Sequence, residues 1–171
     1  DASTLQYYVD KYGGTTLGRQ ELDAELLDDM EGALWTRRLL DAERVASAPP
    51  LRRIVVAIDP AGGSDRKNDE TGIVVAGVDA AGQGYVLADQ SGRFTPDGWA
   101  RRAVQAYRLH RADRIVAEAN FGGAMVAATI RAVDRSVPLR MVNASRGKVL
   151  RAEPIVALYE QGRAHHVGAL P

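Results

Sequence analysis

Two acids stand at the ends of short apolar runs: Arg53-Ile-Val-Val-Ala-Ile-Asp59 ends in Asp59, and Arg114-Ile-Val-Ala-Glu118 ends in Glu118. Short β-branched runs of this kind read as core strands of a mostly parallel sheet. A carboxylate at the carboxyl end of such a strand faces the crevice where open α/β sheets bind ligands. Two of them on neighbouring strands would floor a site for hard cations, with Mg2+ suited to carboxylates and substrate phosphates and Mn2+ able to replace it. A pair of such ions lowers the pKa of an attacking water and neutralises the leaving oxygen of a phosphodiester. The same residues also fit a structural role. An acid ending a buried strand is costly to desolvate alone, so each could pair with an arginine or cap a helix. Asp59 could equally bond the backbone of the turn Pro60-Ala61-Gly62-Gly63.

Three further groups carry chemistry. Asp65, Asp69 and Glu70 lie in the long segment after the first run, with Arg66 and Lys67 between them; Asp69 is the best additional ligand candidate, against a plain solvated loop. Asn120-Phe121-Gly122-Gly123 stands between the second run and a helix start, where backbone N–H groups attract phosphate and glycine allows close approach. A tight turn would use the same residues. Arg146, Lys148 and Arg151 form a basic cluster near another helix start, with Lys148 placed to meet a phosphate or position water, or simply to solvate a helix face. Other patterns lead nowhere. Gly13-Gly-Thr-Thr-Leu-Gly18 has phosphate-loop spacing, but Arg19-Gln20 follows where Lys-Ser/Thr is required. His165 and His166 are adjacent, so on a strand they point to opposite faces. His110 has no convincing serine and acid partners.

The 171-residue chain is long enough for one domain with a real core and an appendage. It holds no cysteine, which excludes disulfides, thiol nucleophiles and thiolate zinc sites. No apolar stretch approaches the roughly 20 residues that span a bilayer, and no signal peptide opens the chain, so a cytosolic protein is the default expectation. Net charge is zero but divided: residues 1–49 carry 10 acids and 5 bases, residues 50–171 carry 12 acids and 17 bases. A moderately basic body suits a polyanionic partner, and ordinary solvated arginines account for it as well.

From Gly18 to about Val45 the apolar spacing is helical, with Leu22, Leu26, Leu27, Met30 and Leu34 on one stripe and a break at Gly32. Ser47-Ala-Pro-Pro50 reads as a linker, which places a boundary between residues 1–49 and 50–171. Beyond it the expected order is strand 52–59, a hairpin of 72–78 and 84–89 turning on Asp79-Ala-Ala-Gly82, and a helix capped by Thr95-Pro96 with Trp99, Ala103, Val104 and Tyr107 inward. Strand 114–118 follows, then a helix carrying Met125, Val126, Thr129, Ile130 and Val133, strand 139–142, a helix around 148–161 begun or kinked at Pro154, and a short strand at 165–167. Periodicity alone says mixed α/β. Three leading strands followed by alternating helices and strands match the ribonuclease H-like order better than a flavodoxin-like one, because the first connection is a hairpin.

Six segments together resemble a known family: Tyr12-Gly-Gly-Thr-Thr-Leu-Gly-Arg-Gln-Glu-Leu22, Glu31-Gly-Ala-Leu-Trp35, Val56-Ala-Ile-Asp-Pro-Ala61, Asp69-Glu-Thr-Gly-Ile73, Glu118-Ala-Asn-Phe-Gly-Gly123 and Lys148-Val-Leu-Arg-Ala-Glu-Pro154. In this order they are similar to the large terminase subunit of tailed bacteriophages, specifically its carboxy-terminal nuclease domain. The resemblance implies a ribonuclease H-like endonuclease that cuts double-stranded concatemeric viral DNA during packaging in the host cytoplasm. It further implies that Asp59 and Glu118 bind Mg2+ or Mn2+, and that the portal protein and the small terminase subunit are partners of the intact protein. Residues 18–35 would be the end of a preceding packaging ATPase domain; with no Walker motif, this chain is expected to bind no ATP. The family's remaining catalytic aspartate lies on a helix after the last strand and has no match before Pro171. The domain is therefore expected to lack that helix, and the metal site to be incomplete, with weak metal affinity. The residues alone leave three other readings open: a resolvase or transposase core, half of an actin-like ATPase, and a non-catalytic module docking on DNA or a portal.

Overall fold

The computed structural model describes residues 34–60, 70–119, 122–145 and 147–170. The chain divides into two compact units, Asp1–Leu39 and Leu40–Pro171. Of the first, the described part is the stretch from residue 34, where the Thr36 hydroxyl accepts from the Leu39 N–H at 3.1 Å and so caps helix α1 (Arg37–Ala42). The helix stops at Ala42 instead of running to Val45. Arg44–Val45 forms strand β1, pairing with β7 (Ala164–Val167) in the register Arg44↔His166 and Val45↔Val167. An open strand edge offers backbone partners that outcompete another half-turn of helix, so residues 40–49 join the sheet unit. The remainder of the expected extension lies outside the described residues.

The other strands are β2 (Leu51–Asp59), β3 (Gly72–Asp79), β4 (Gly84–Asp89), β5 (Arg114–Glu118) and β6 (Leu139–Val142). Among the described residues they form one seven-stranded sheet in the order β1-β7-β4-β3-β2-β5-β6. Strand β3 runs antiparallel to both its neighbours and every other pair is parallel. This is the mixed α/β order expected from the sequence. The β3–β4 hairpin closes as its residues dictate: the Asp79 carboxylate accepts from the N–H groups of Ala81 and Gln83, both at 2.9 Å, and Gly82 takes φ +81°.

Helices α2 (Pro96–Leu109) and α3 (Gly123–Val133) cover one face of the sheet. Thr95 caps α2 by accepting from Gly98 N–H at 3.1 Å, with Pro96 in the first turn. Inward residues alternate along the strands, with Val56 and Ile58 on β2, Ile73 and Val75 on β3, and Ile115 and Ala117 on β5. They meet Trp99, Ala103 and Val104 of α2 and Val126 and Ile130 of α3, while Ala100 and Ala103 allow α2 to approach closely. Each fully buried Ile or Val contributes about 1.5–3 kcal/mol over exposure. Met125 lies on the exposed side of α3, where its carbonyl accepts from the Thr129 hydroxyl at 2.8 Å.

The opposite face is thinly covered. Helix α4 (Lys148–Glu160) reaches it from the end of β5 to β7, where Val156 and Tyr159 are buried and the Tyr159 ring meets His166 edge-on at 5.5 Å. It runs through Pro154 rather than starting at Glu153. His165 lies instead against Tyr85, ring centroids 5.1 Å apart, so the two histidines do separate. Ala57 is exposed, and Val74 and Val116 are half-buried. Among the described residues no helix is long and apolar enough to cross a membrane.

A polar clasp joins α2 to the end of α3. Asp134 accepts from the Ser136 hydroxyl at 2.6 Å and N–H at 2.9 Å, and from Arg108 at 2.5 Å. The Ser136 hydroxyl first, then the Arg108 guanidinium and the Ser136 amide, lower the Asp134 pKa to about 2. A carboxyl held below its unfolded value of about 4 stabilises the fold above that pH, and the contribution is lost as pH falls toward 2. Thermal melts at pH 5, 3 and 2 should therefore show a shallower acid decline for Asp134→Asn than for the parent; parallel declines would refute the linkage.

Candidate functional site

The sheet brings the two acids together through the parallel pair β2–β5. Its register is Val55↔Arg114 through Ile58↔Ala117, so Asp59 and Glu118 come one step beyond the last matched pair. The register is locked at the other end. Asp113 N–H donates to the Ile54 carbonyl at 2.7 Å, and the Asp113 carboxylate accepts from Ile54 N–H at 2.7 Å. Because Ile58 and Ala117 point into the core, the next residues on both strands point to the thinly covered face.

There they border an open cleft of about 420 Å³. Ala57, Val74 and Val116 form its apolar floor, Asp59 and Glu118 stand at the strand ends, and Arg151 enters from α4. Arg151 Nη1 donates to Glu118 Oε2 at 3.1 Å. The Glu118 side chain is only 19% exposed, so its charge needs this partner, whereas Arg151 keeps 37% of its surface in solvent. Asp59 is the more open of the two acids. The arginine partner that the strand-end acids could take is thus found at Glu118, from a member of the basic cluster at the start of α4. Sequence could not have found this pairing, since 33 residues and a strand crossover separate the partners.

Two carboxylates at adjacent strand ends form a hard oxygen set, and a cationic side chain already stands on one of them. That set fits a Mg2+ or Mn2+ ion keeping several waters, the usual condition of an ion held by one or two carboxylates. Among the described residues no group of three or more His, Cys, Asp or Glu side chains gathers as a fuller cage.

The other candidates fall as follows. Asp65, Asp69, Asn120 and Arg146 lie outside the described residues, and of Lys148 the backbone is described, as the first residue of α4. Glu70 is exposed, 3.8 Å from Arg93, and does not line the cleft. Gly122 takes φ +81° at the start of α3, and Gly123 follows; neither lines the cleft.

The family model described as the terminase RNaseH-like domain matches residues 56–170. No curated protein matches the chain in sequence. Among solved structures, the human cytomegalovirus terminase nuclease domain is similar over 79% of this chain and 74% of that one, at 20% identity and a TM-score of 0.56. The nuclease domain of the large terminase subunit gp2 of bacterial virus Sf6 is similar over 74% of this chain, at 17% identity and a TM-score of 0.51; the match spans 54% of that chain. A point mutant of that Sf6 domain, solved with manganese, matches 67% of this chain and 49% of its own, at 16% identity and a TM-score of 0.50. At these identities the likeness shows the ribonuclease H-like fold.

The first residue of α3 depends on a missing side chain. A Cβ on Gly123 would lie 2.8 Å from the Ala119 Cβ, closer than side-chain carbons approach. Gly→Ala in a helix ordinarily stabilises by up to about 1 kcal/mol. Here the sign should reverse, with Gly123→Ala losing about 1–3 kcal/mol in urea unfolding from overpacking. A stabilised variant would show that the turn yields freely.

Proposed function

The chain belongs to the terminase RNaseH-like domain family, the nuclease domain of the large terminase subunit, and from that premise we propose that its cleft is a metal-dependent endonuclease centre for double-stranded DNA. The observation that carries the reading is the pair Asp59 and Glu118, brought by the β2–β5 register to the carboxyl ends of adjacent strands in one open cleft. A nuclease of the ribonuclease H fold places its acids where a phosphodiester can be laid across them, and an open cleft admits a duplex backbone where a closed pocket would not.

Asp59 and Glu118 would hold Mg2+ or Mn2+, with Asp69 as a further ligand. Bound there, the ions supply an activated water and charge neutralisation at the leaving oxygen. The protein's own task is positioning. Arg151 presents a planar fork of N–H donors suited to a phosphate. Gly122, Gly123, Asn120, Arg146 and Lys148 would meet the DNA backbone outside the cleft with amides and positive charge. Contacts of this kind set orientation without reading sequence, so selection among DNA sites would be weak. The reading extends to a packaging motor in the host cytoplasm that cuts concatemeric viral DNA, with the portal protein and the small terminase subunit as partners. Family membership supports that extension.

Plasmid nicking in Mn2+ tests the centre. A version extended past Pro171 to supply the family's remaining aspartate should relax supercoiled DNA faster than this chain, and in it Asp59→Asn and Glu118→Gln should each lower the rate on the order of 100-fold, the scale of losing one stabiliser of developing charge. Nicking that survives Asp59→Asn would overturn the reading. DNA binding with neither nicking nor Mn2+ binding would replace it with a docking module.

A further inference from the structure

Arg151 occupies an unusual position for a cation. It is the fourth residue of α4, in the turn whose unpaired N–H groups make the helix start positive. The helix therefore does not favour a guanidinium there; Glu118 does, through the 3.1 Å bond. Among the described residues, Arg151 is the cationic side chain that lines the cleft. It is also the more exposed partner of the pair, so it can leave Glu118 without crossing packed side chains.

We infer that Arg151 is an exchangeable stand-in for the metal: it holds Glu118 when DNA is absent, and moves to a backbone phosphate when DNA enters. The inference rests on the endonuclease reading. A divalent ion sharing Glu118 would meet the guanidinium at close range, and like charges a few ångströms apart oppose each other strongly in a half-buried site. Arginine and metal therefore compete for the same carboxylate. A phosphate in the cleft supplies a second acceptor, one that takes two parallel N–H bonds from the fork. Drawing Arg151 off Glu118 raises the affinity for metal, and by linkage the metal raises the affinity for DNA by the same factor. The residue thus delays metal loading until substrate is present. It is a positioning residue, acting through Glu118.

The test is Mn2+ binding by the full chain, followed through the spin-resonance signal of free Mn2+, with and without a short phosphorothioate duplex. Without DNA, Arg151→Ala should bind Mn2+ about fivefold or more tightly than the parent, the low end of ordinary coupling between two sites. Arg151→Lys, which keeps the charge and serves as the folding control, should stay close to the parent. With the duplex, both should gain Mn2+ affinity from the added phosphate, and the parent should gain clearly more than Arg151→Ala. Unchanged or weaker binding by Arg151→Ala, or a gain with DNA equal to the parent's, would overturn the exchange. Asp59→Asn distinguishes loss of the exchange from loss of the metal centre. If it loses Mn2+ while Arg151→Ala gains nothing, the endonuclease reading stands and the exchange falls; if it binds Mn2+ as the parent does, the endonuclease reading itself falls.

Discussion

The register between β2 and β5 governs the rest of the molecule. In a parallel pair a slip of one residue turns every side chain on the moved strand to the other face. Here it would take Ile115 and Ala117 out of the core and send Glu118 toward α2 and α3, away from Asp59. Two things prevent it. The fully buried Ile115 and Val56 make the inner face unambiguous. The reciprocal bonds of Asp113 with Ile54 pin the strands at the far end, five residues before the acids. Stability and site geometry are thus one constraint, because the bonds that align the core also align the carboxylates.

The cleft exists because the sheet is covered unequally. Helices α2 and α3 bury one face with Trp99, Val104, Val126 and Ile130 against the strands, and most of the fully buried side chains lie there. The other face meets only α4 among the described helices, leaving Ala57 and Val116 as a shallow apolar floor. Such a floor excludes water from one side of a charged pair while leaving the other side open. Coulombic interactions of Asp59, Glu118 and Arg151 are therefore stronger than at a free surface and weaker than in a closed core.

The apolar β-branched runs in 53–59 and 114–118, the Asp79 turn and the Thr95-Pro96 cap are local signals, and the elements formed where they predict. Strand ends follow from the same runs, so Asp59 and Glu118 were legible as crevice residues before any topology was known. Pairings across distance were not. Arg44 and Val45 continue a helical pattern locally, and only the edge of β7 makes them a strand. Met125 matches the α3 stripe by type, yet packing selects Val126 and Ile130 instead. The Arg151–Glu118 bond depends on the route of α4 across the sheet, which no local pattern encodes. Glycines 122 and 123 were marked by their type, but the left-handed turn and the close approach of Ala119 that require them are matters of backbone geometry.

Pro154 in the middle of α4 has a mechanical consequence. Lacking an N–H, it leaves the carbonyl of Leu150 without its helical donor, and its ring crowds that same turn. The segment after it is fastened, with Val156 and Tyr159 buried near β7. The segment before it exposes Val149 and Leu150. The hydrogen-bond ladder of α4 is therefore one bond short at its midpoint, between an exposed turn and a buried one. Arg151 stands on the exposed side of that gap, so Glu118 is gripped from the less buried end of the helix.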